Sequence, residues 1–299
     1  MKVRPAELPL VSIVTPSYNM ARFLTATIES VLSQDYPRIE YIVMDGGSTD
    51  GTLEILERCA GRLRCTSAPD HGPADALRRG FSEARGEILA WLNADDTYEP
   101  QAVRRGVEYL TAHPDVDVVY GDGWWTDEGG QRIRPYATMP FDPRMLERDC
   151  FICQPASFMR SSAYRNCEMD ARLPVSFDYD LWIRMAAQGR RFAYLPRHLA
   201  NSRMHRSSLT ISRRLQVFRV SMALLQRHYG YVPLSWVLGY VAFRMDGRDQ
   251  FFEPLRLSPL KFLISLPAGL RYNRSRPVRY FAEWLLAPFK AVLRRCRRV

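Results

Sequence analysis

The stretch LVSIVTPSYNMARFLTATIESVLSQDYPRIEYIVMDGGSTDGTLEILERCA, residues 10–60, decides the fold class. It opens with an apolar, β-rich run at 10–15, passes through a polar loop, and then places apolar side chains at helical spacing across 21–34. A second strand at 40–44, a turn rich in Gly, Ser and Asp, and a second helix at 52–60 follow. Strands that alternate with helices in this way predict an α/β domain with a mostly parallel sheet and helices on both faces.

The alternation continues beyond residue 60 and weakens after residue 120. Further strands are predicted at 63–66, 87–92 and 116–120, with helices at 74–84 and 100–113. The later elements are a hairpin around Glu128-Gly-Gly130, an extended run at 151–160, a helix at 179–188, and two short strands at 191–195 and 201–205. Helical patterns dominate from residue 211 onward, which predicts a C-terminal helical extension.

Polar clusters follow three of the predicted strands. They are Tyr18-Asn19, Asp45-Gly-Gly-Ser-Thr-Asp50 and Asn93-Ala-Asp-Asp96. In open α/β sheets, ligands bind beyond the carboxyl ends of the strands. The three clusters are therefore expected to converge on one cleft.

Asp95 and Asp96 form a pair of adjacent carboxylates directly after an apolar strand. Two buried carboxylates are costly unless a cation neutralises them, and Mg²⁺ or Mn²⁺ held in this way keeps other positions for water and substrate phosphates. The alternative is that Asp-Asp-Thr caps the helix that begins after Pro100. The pair alone does not decide between the two interpretations.

Five strings of residues, in this order and spacing, make the chain resemble family 2 glycosyltransferases of the GT-A fold, in particular a bacterial glycan-biosynthesis subgroup. The strings are Ser12-Ile-Val-Thr-Pro-Ser-Tyr-Asn19, Tyr41-Ile-Val-Met-Asp-Gly-Gly-Ser-Thr-Asp-Gly51, Pro69-Asp-His-Gly-Pro-Ala-Asp-Ala76, Leu92-Asn-Ala-Asp-Asp96 and Phe177-Asp-Tyr-Asp-Leu-Trp182. The resemblance covers most of residues 10–205. It implies a Rossmann-like GT-A sheet and an inverting enzyme that uses a nucleotide-diphosphate sugar as donor.

The resemblance also implies roles for individual residues. Asp45 would hydrogen-bond the nucleotide base, Asp95 and Asp96 would form the D-x-D site for metal and diphosphate, and Asp178 would be the catalytic base. His205 would complete the metal site. The remaining residues assigned to donor binding are Pro16, Tyr18, Asn19, Gly47, Asp70, Arg78, Arg79 and Asn93.

The chain departs from the family pattern at two places. Asn93 stands where many relatives carry an acidic residue, so the metal ligand is expected at Asp96 rather than at Asn93. Arg78-Arg79 replaces the usual Asn-Lys, which keeps a positive charge near the diphosphate but removes the amide contact. Neither change removes a reactive group.

The chemistry agrees with this interpretation. Inverting transfer needs a base on the acceptor hydroxyl and a cation for the charge that develops on the leaving diphosphate. Asp178 and the Asp95–Asp96 pair supply these two functions. Asp178 and Asp180 both precede apolar helix residues, however, where either of them can also cap the helix. Asp180 is therefore kept as the alternative base.

The C-terminal part of the chain is strongly basic. Residues 1–209 carry 25 basic and 28 acidic side chains, whereas residues 210–299 carry 17 and 4. We therefore predict a catalytic domain at 1–209 and a basic helical region at 210–299, in which 255–299 bind an anionic membrane surface. Packing of this segment on the catalytic domain is the alternative, and no nucleic acid is expected as a partner.

The predicted location is the cytoplasm, at the cytoplasmic face of the membrane. Six cysteines without regular spacing fit a reduced compartment, and the first residues lack the apolar core of a signal peptide. The competing functions are a nucleotidyltransferase and a non-catalytic membrane-binding relative. A nucleotidyltransferase or a dehydrogenase is expected to carry a Gly-rich phosphate loop after the first strand, and Pro16-Ser-Tyr-Asn19 is not such a loop.

Overall fold

The computed structural model describes residues 8–247 and 258–296. The chain divides into two compact units, of which the first comprises residues up to Asp142 together with Phe151–Ser208. The second comprises Pro143–Cys150 and the residues from Leu209 onward. The boundary proposed at residue 209 leaves Pro143–Cys150 in the first unit, whereas the structure groups this segment with the C-terminal helices. The local composition of the segment does not indicate that grouping.

The first unit is an α/β fold built on one sheet. Its strands are β1 (Val11–Ser17), β2 (Ile39–Asp45), β3 (Arg64–Ser67), β4 (Ile88–Trp91), β5 (Thr97–Tyr98), β6 (Val118–Thr126), β7 (Arg132–Pro135), β8 (Ser157–Arg160) and β9 (Phe192–Arg203). Its helices are α1 (Ala21–Leu32), α2 (Thr52–Arg58), α3 (Pro73–Glu83), α4 (Ala102–Ala112), α6 (Ser161–Arg165) and α7 (Phe177–Ala187). The strand order is β3-β2-β1-β4-β8-β6-β9-β5, with β7 paired to β6.

The strands from β3 to β4 are all parallel, and the sheet is mixed beyond them. β8 lies antiparallel between β4 and β6, while β6 and β9 run parallel. Because β1, β2 and β4 are parallel neighbours, the loops that follow them leave the same edge of the sheet. The predicted α/β fold is confirmed.

Helices cover both faces of the parallel part of the sheet. Ile13 of β1 belongs to one core cluster with Leu24 and Ile28 of α1. Successive side chains of a strand point to opposite faces, and the next residue, Val14, meets α3 at Gly80, where a Cβ would lie 2.5 Å from its side chain. Each face of β1 is therefore buried under a helix, which explains its continuous apolar sequence.

The later strands differ from the sequence prediction in one respect. The hairpin around the Glu128 turn forms as predicted, from β6 and β7. The two short strands predicted at 191–195 and 201–205 are instead the single strand β9, which pairs with β6 along its length. Two register shifts, at Gly121/Asp122 and Asp122/Gly123, accommodate the irregular middle of β9.

The second unit is helical. It consists of α5 (Pro143–Leu146), α8 (Leu209–Ser212), α9 (Arg214–Tyr229), α10 (Leu234–Asp246), α11 (Pro259–Tyr272) and α12 (Pro277–Cys296). The predicted helical character of the C-terminal region is confirmed for its described residues; 248–257 and 297–299, part of which belong to the predicted membrane-binding segment 255–299, lie outside them. Among the helices of the described ranges, none has the length and hydropathy needed to cross a membrane.

Candidate active site

The loops after β1 and β2 are hydrogen-bonded to each other. Asn19, whose φ is 53°, donates its backbone N–H to Ser48 Oγ at 2.8 Å, and its Oδ1 accepts from the N–H of Thr49 at 2.8 Å. The N–H of Ala21, at the start of α1, donates to Asp50 Oδ2 at 3.0 Å. Two of the three predicted polar clusters thus form one continuous surface.

Asp45 is the centre of the second loop. Its buried carboxylate accepts the backbone N–H groups of Gly47 and Ser48, both at 3.0 Å, and the hydroxyls of Ser48 and Ser67. Gly47 has a φ of 83°, a conformation that glycine adopts without strain. Asp45 therefore shapes the loop, and the contact predicted between Asp45 and a nucleotide base would be an additional role.

Replacing Asp45 with alanine is expected to reduce both stability and donor affinity. Four donors lose their acceptor in a buried position, which should lower the free energy of unfolding by about 2–4 kcal/mol. Ser67→Ala removes only one of these bonds and should cost about 1 kcal/mol. Urea denaturation and calorimetric titration of nucleotide measure the two effects; an Asp45→Ala protein as stable as the Ser67→Ala protein would refute this role.

The loop after β3 brings Asp70 to the same region. A Cβ on Gly46 would lie 2.9 Å from Asp70 Oδ2, so the glycine permits this close approach. Asp70 Oδ1 accepts the N–H of Gly72 at 2.8 Å, and burial raises the pKa of Asp70. Tyr18, also assigned to donor binding, is exposed on the first loop, whereas Pro16 lies inside β1.

The two arginines assigned to the diphosphate lie in α3, and both have partners. Arg78 makes an ion pair with Asp75 at 3.3 Å, and Arg79 Nη1 donates to the carbonyl of Pro69 at 3.5 Å. Arg78 is exposed and Arg79 is half-buried. They supply positive charge beside the Asp70 loop, as expected from the sequence.

The loop after β4 carries Asp96, which is buried and bonded on both oxygens. Its Oδ1 accepts the backbone N–H of Arg203 at 2.9 Å, and its Oδ2 accepts from Asn93 Nδ2 at 3.0 Å. Burial, and then the neighbouring carboxylate of Asp95, raise the pKa of Asp96 well above its usual value. The amide of Asn93 donates to this carboxylate, whereas an acidic side chain at position 93 would repel it.

Asp95 faces His205. Asp95 Oδ2 lies 2.9 Å from Nε2 of the buried His205 ring, whose Nδ1 lies 2.8 Å from Ser207 Oγ. The 2.9 Å distance is that of a hydrogen bond, and the chemistry of the two groups also suits a divalent ion, since carboxylate oxygens and imidazole nitrogens both ligate Mn²⁺. The described residues contain no group of three or more His, Cys, Asp or Glu side chains placed to hold a metal, so substrate oxygens and water would complete the coordination.

Two residues that the sequence analysis did not single out hold this loop in place. Arg203 Nε donates to the carbonyl of Asp95 at 2.9 Å, and its Nη1 donates to that of Glu128 at 2.7 Å. Gln154 accepts from Asn93 Nδ2 at 3.1 Å and donates to the carbonyl of Trp91 at 2.9 Å. Gln154 is 61 residues from Asn93, and Arg203 is 108 residues from Asp95, so only the tertiary fold reveals these contacts.

Asp178 and Asp180 lie in the first turn of α7 and have different surroundings. Asp180 is buried and forms an ion pair with Arg184 at 2.6 Å, and that arginine also donates to Cys167 Sγ at 3.1 Å. Asp178 accepts the backbone N–H of Tyr179, and burial raises its pKa. Ser176, just before the helix, has a φ of 57°, an uncommon conformation for a side chain other than glycine.

Aromatic packing joins α7 to β4. Trp182 stacks on Trp91 with ring centroids 5.5 Å apart. Asp178 precedes Trp182 by four residues and so lies on the same helix face, one turn away. Trp91 precedes Asn93 by two residues. Asp178 therefore lies about one helical turn from Trp182, whose ring packs on β4, the strand that precedes the Asp95 loop.

The predicted site residues from all three clusters thus meet at one edge of the sheet. Phe23 of α1 joins them, because its ring lies 4.5 Å from that of His205 and 5.1 Å from the guanidinium of Arg203. Thr27, one turn further along α1, donates to the carbonyls of Ala94 and Asp96 at 2.9 and 2.8 Å. Helix α1 therefore connects the first loop to the carboxylate loop.

Comparison with known sequences identifies a family. The sequence model described as "Glycosyl transferase family 2" matches residues 12–166. The chain is 33% identical over 193 residues to the putative glycosyltransferase EpsE of Bacillus subtilis, which covers 61% of this chain and 69% of that protein. It is 32% identical over 182 residues to a PGL/p-HBAD biosynthesis glycosyltransferase of Mycobacterium bovis, covering 59% and 69%. Rickettsial relatives are longer, and the chain spans less than a third of their length.

Solved structures share the fold. TarS of S. aureus in complex with UDP matches with a TM-score of 0.63 at 16% identity, covering 92% of this chain and 83% of that one. The mannosyltransferase PcManGT of Pyrobaculum calidifontis, in complex with GDP-Man and Mn²⁺, matches with a TM-score of 0.59 at 18% identity, covering 97% and 90%.

Proposed function

The chain belongs to glycosyltransferase family 2, and from this premise we propose that it moves a sugar, with inversion, from a nucleotide-diphosphate donor to a hydroxyl of a glycan or lipid-linked acceptor. The observation that carries the proposal is the pair Asp95–His205, 2.9 Å apart, at the carboxyl end of β4 beside the loops of β1 and β2. Membership of the family removes the reason to consider a nucleotidyltransferase.

The donor would bind across the loops that follow β1, β2 and β3. Asp45 holds the second loop in shape and is the residue proposed to reach the base. Arg78 and Arg79 supply positive charge for the diphosphate, while Asn19 fixes the first loop against the second. TarS was solved in complex with UDP and PcManGT in complex with GDP-Man, which supports a nucleotide-sugar donor.

Asp95 and His205 would hold Mg²⁺ or Mn²⁺. A divalent ion at this place neutralises the charge that develops on the leaving diphosphate. Ser207 orients the His205 ring through Nδ1, so that Nε2 faces Asp95. Asp96 stabilises the loop that carries Asp95, because its oxygens accept hydrogen bonds from the backbone N–H of Arg203 and from the Asn93 amide. PcManGT was solved in complex with Mn²⁺, which supports the choice of ion.

Asp178 is proposed as the base that takes the proton of the acceptor hydroxyl. A raised pKa makes a carboxylate a stronger base, and burial raises the pKa of Asp178. Asp180 is less suited to this role, since its carboxylate already forms an ion pair with Arg184. In an inverting reaction the deprotonated hydroxyl attacks the sugar opposite to the diphosphate, so the base and the metal pair would lie on opposite sides of the donor sugar.

We place the enzyme in the biosynthesis of a cell-surface polysaccharide or glycolipid. The name of the Mycobacterium bovis relative assigns that protein to PGL/p-HBAD biosynthesis, which supports an acceptor of this class. A peripheral position at the membrane would suit a lipid-linked acceptor.

A nucleotide panel tests the proposed function. Thermal unfolding with UDP, GDP and dTDP, each with and without Mn²⁺, should show one nucleotide that raises Tm only when the metal is present, because ligands that bind the folded state stabilise it. The matching nucleotide sugar should then be turned over, and NMR of the product should show an inverted anomeric centre. Stabilisation by no nucleotide, or a product with retained configuration, would refute the proposal.

A further inference from the structure

Exposed apolar side chains are concentrated in the helical unit. Eleven large apolar residues of the described chain are exposed, and three of these, Leu8, Tyr18 and Ile133, lie in the first unit. The other eight belong to α10, α11 and α12: Met245, Leu260, Leu263, Ile264, Val278, Phe281, Leu285 and Leu286. Contiguous exposed apolar surface in a soluble domain usually marks an interaction site.

Helix α12 carries four of these residues on one side. Val278, Phe281 and Leu285 follow each other at three- and four-residue spacing, with Leu286 beside them, and they are 80%, 46%, 50% and 48% exposed. This spacing places them along a single stripe of the helix. We call these four residues the α12 face.

The opposite side of α12 is packed within its own unit. Tyr280 is buried and donates its hydroxyl to the carbonyl of Ser265 at 2.8 Å. Trp284 stacks on Phe262 with centroids 4.6 Å apart and donates Nε1 to the carbonyl of that residue at 2.9 Å. The Trp284 ring also stacks on that of Phe281, with centroids 6.3 Å apart, so the α12 face borders the packed side at Phe281. The side chains of the α12 face nevertheless remain 46% to 80% exposed.

The charge around the α12 face is positive. Residues 258–299 contain ten basic side chains and one acidic side chain, Glu283. That carboxylate accepts from the Tyr231 hydroxyl and forms an ion pair with Arg148 at 3.3 Å, so it is already engaged. Arg274 and Arg276, in the turn before α12, are exposed. An occupant of this surface must combine apolar and anionic groups.

We propose that the α12 face binds the interfacial region of an anionic lipid bilayer, with the helix lying parallel to the membrane plane. Acyl chains would cover Val278, Phe281 and Leu285, and headgroup phosphates would bind Arg274 and Arg276. A second copy of this chain would bring two positively charged segments together, and a nucleic acid would leave the apolar stripe in contact with water. The inference does not depend on the proposed catalysis.

Vesicle sedimentation of the full-length protein tests the apolar part. Wild type should sediment with vesicles of phosphatidylcholine and phosphatidylglycerol, and Phe281→Asp with Leu285→Asp should lower the partition coefficient by at least about tenfold. Ile133→Asp is the matched control, since Ile133 is equally exposed but lies on β7 of the first unit. It should bind as wild type does. Equal binding by wild type and the α12 variant, or no binding by wild type, would overturn the proposal.

A second set of variants tests the arginines that are proposed to bind headgroup phosphates. Arg274→Glu and Arg276→Glu should each weaken binding to phosphatidylglycerol vesicles by about fivefold or more, and Arg62→Glu, at an exposed position of the first unit, should change it little. Vesicles of phosphatidylcholine alone should bind wild type more weakly. Unfolding curves of every variant must match wild type. Light scattering checks for self-association: a dimer of wild type that the Phe281→Asp, Leu285→Asp protein loses would assign the face to a second copy and overturn the membrane proposal.

Discussion

Replacement of Asp178 by asparagine is expected to lower kcat for sugar transfer by about 100-fold or more, the usual contribution of a general base. Donor affinity and Tm should remain close to wild type. Asparagine has nearly the same shape, and its side-chain oxygen can still accept the N–H of Tyr179, so the start of α7 is preserved. Transfer rate, nucleotide affinity and thermal unfolding are measured on the same protein.

Asp180→Asn is the matched control, because it makes the same chemical change two residues away. Here the loss is expected in stability, since the variant removes the negative partner of Arg184. Breaking a buried ion pair costs about 3–5 kcal/mol, and the 23% exposure of the Arg184 side chain reduces this to about 2–3 kcal/mol. If Asp180→Asn were inactive at full stability while Asp178→Asn stayed active, the base would be Asp180.

The pH dependence of the rate gives a second readout for Asp178. Burial raises the pKa of this carboxyl, so acid protonates it at a higher pH than it would an exposed aspartate. A base must be ionised to accept a proton. The rate of wild type should therefore fall on acidification at a pH above the ordinary range of aspartate, and this acid limb should be missing from the residual activity of Asp178→Asn.

The parallel part of the fold and the convergence of its loops follow from sequence alone. Alternation of apolar strands and helices fixes β1, β2 and β4 as parallel, and this forces Asn19, Asp45 and Asp95 to one edge of the sheet. Periodicity predicts this convergence but not the individual contacts, such as the bond between Asn19 and Ser48, 29 residues apart.

Other features depend on contacts that periodicity does not encode. Gln154 and Arg203 reach the carboxylate loop from distant segments, and Pro143–Cys150 joins the helical unit through Glu147, which forms an ion pair with Arg279. Polar side chains in strands and turns have no pattern that identifies such partners. The choice between Asp178 and Asp180 is different, because Arg184 follows Asp180 by four residues on the same helix, a spacing that sequence alone associates with an ion pair.

The remaining prediction concerns the metal pair. Asp95→Ala is expected to abolish the Mn²⁺-dependent part of nucleotide binding and to lower turnover by about 1,000-fold or more, since a metal contributes several kcal/mol of charge stabilisation at the leaving group. The free energy of unfolding should fall by only about 1 kcal/mol, because the change removes a single side-chain contact, the one between Asp95 and the buried ring of His205.

Asp96→Ala is compared with Asp95→Ala, in order to distinguish a residue that binds the metal from one that stabilises the loop. Both oxygens of Asp96 accept from within the protein, so its loss leaves the Arg203 N–H and the Asn93 amide without an acceptor and should lower the free energy of unfolding by about 2–3 kcal/mol. Asp96→Ala should therefore lose activity together with stability, whereas Asp95→Ala should lose activity with a clearly smaller loss of stability. Calorimetric titration of nucleotide with and without Mn²⁺, beside urea denaturation, distinguishes the two. If Asp95→Ala kept metal-dependent binding and Asp96→Ala lost it at wild-type stability, the ligand would be Asp96, and the pair Asp95–His205 would have only a structural role.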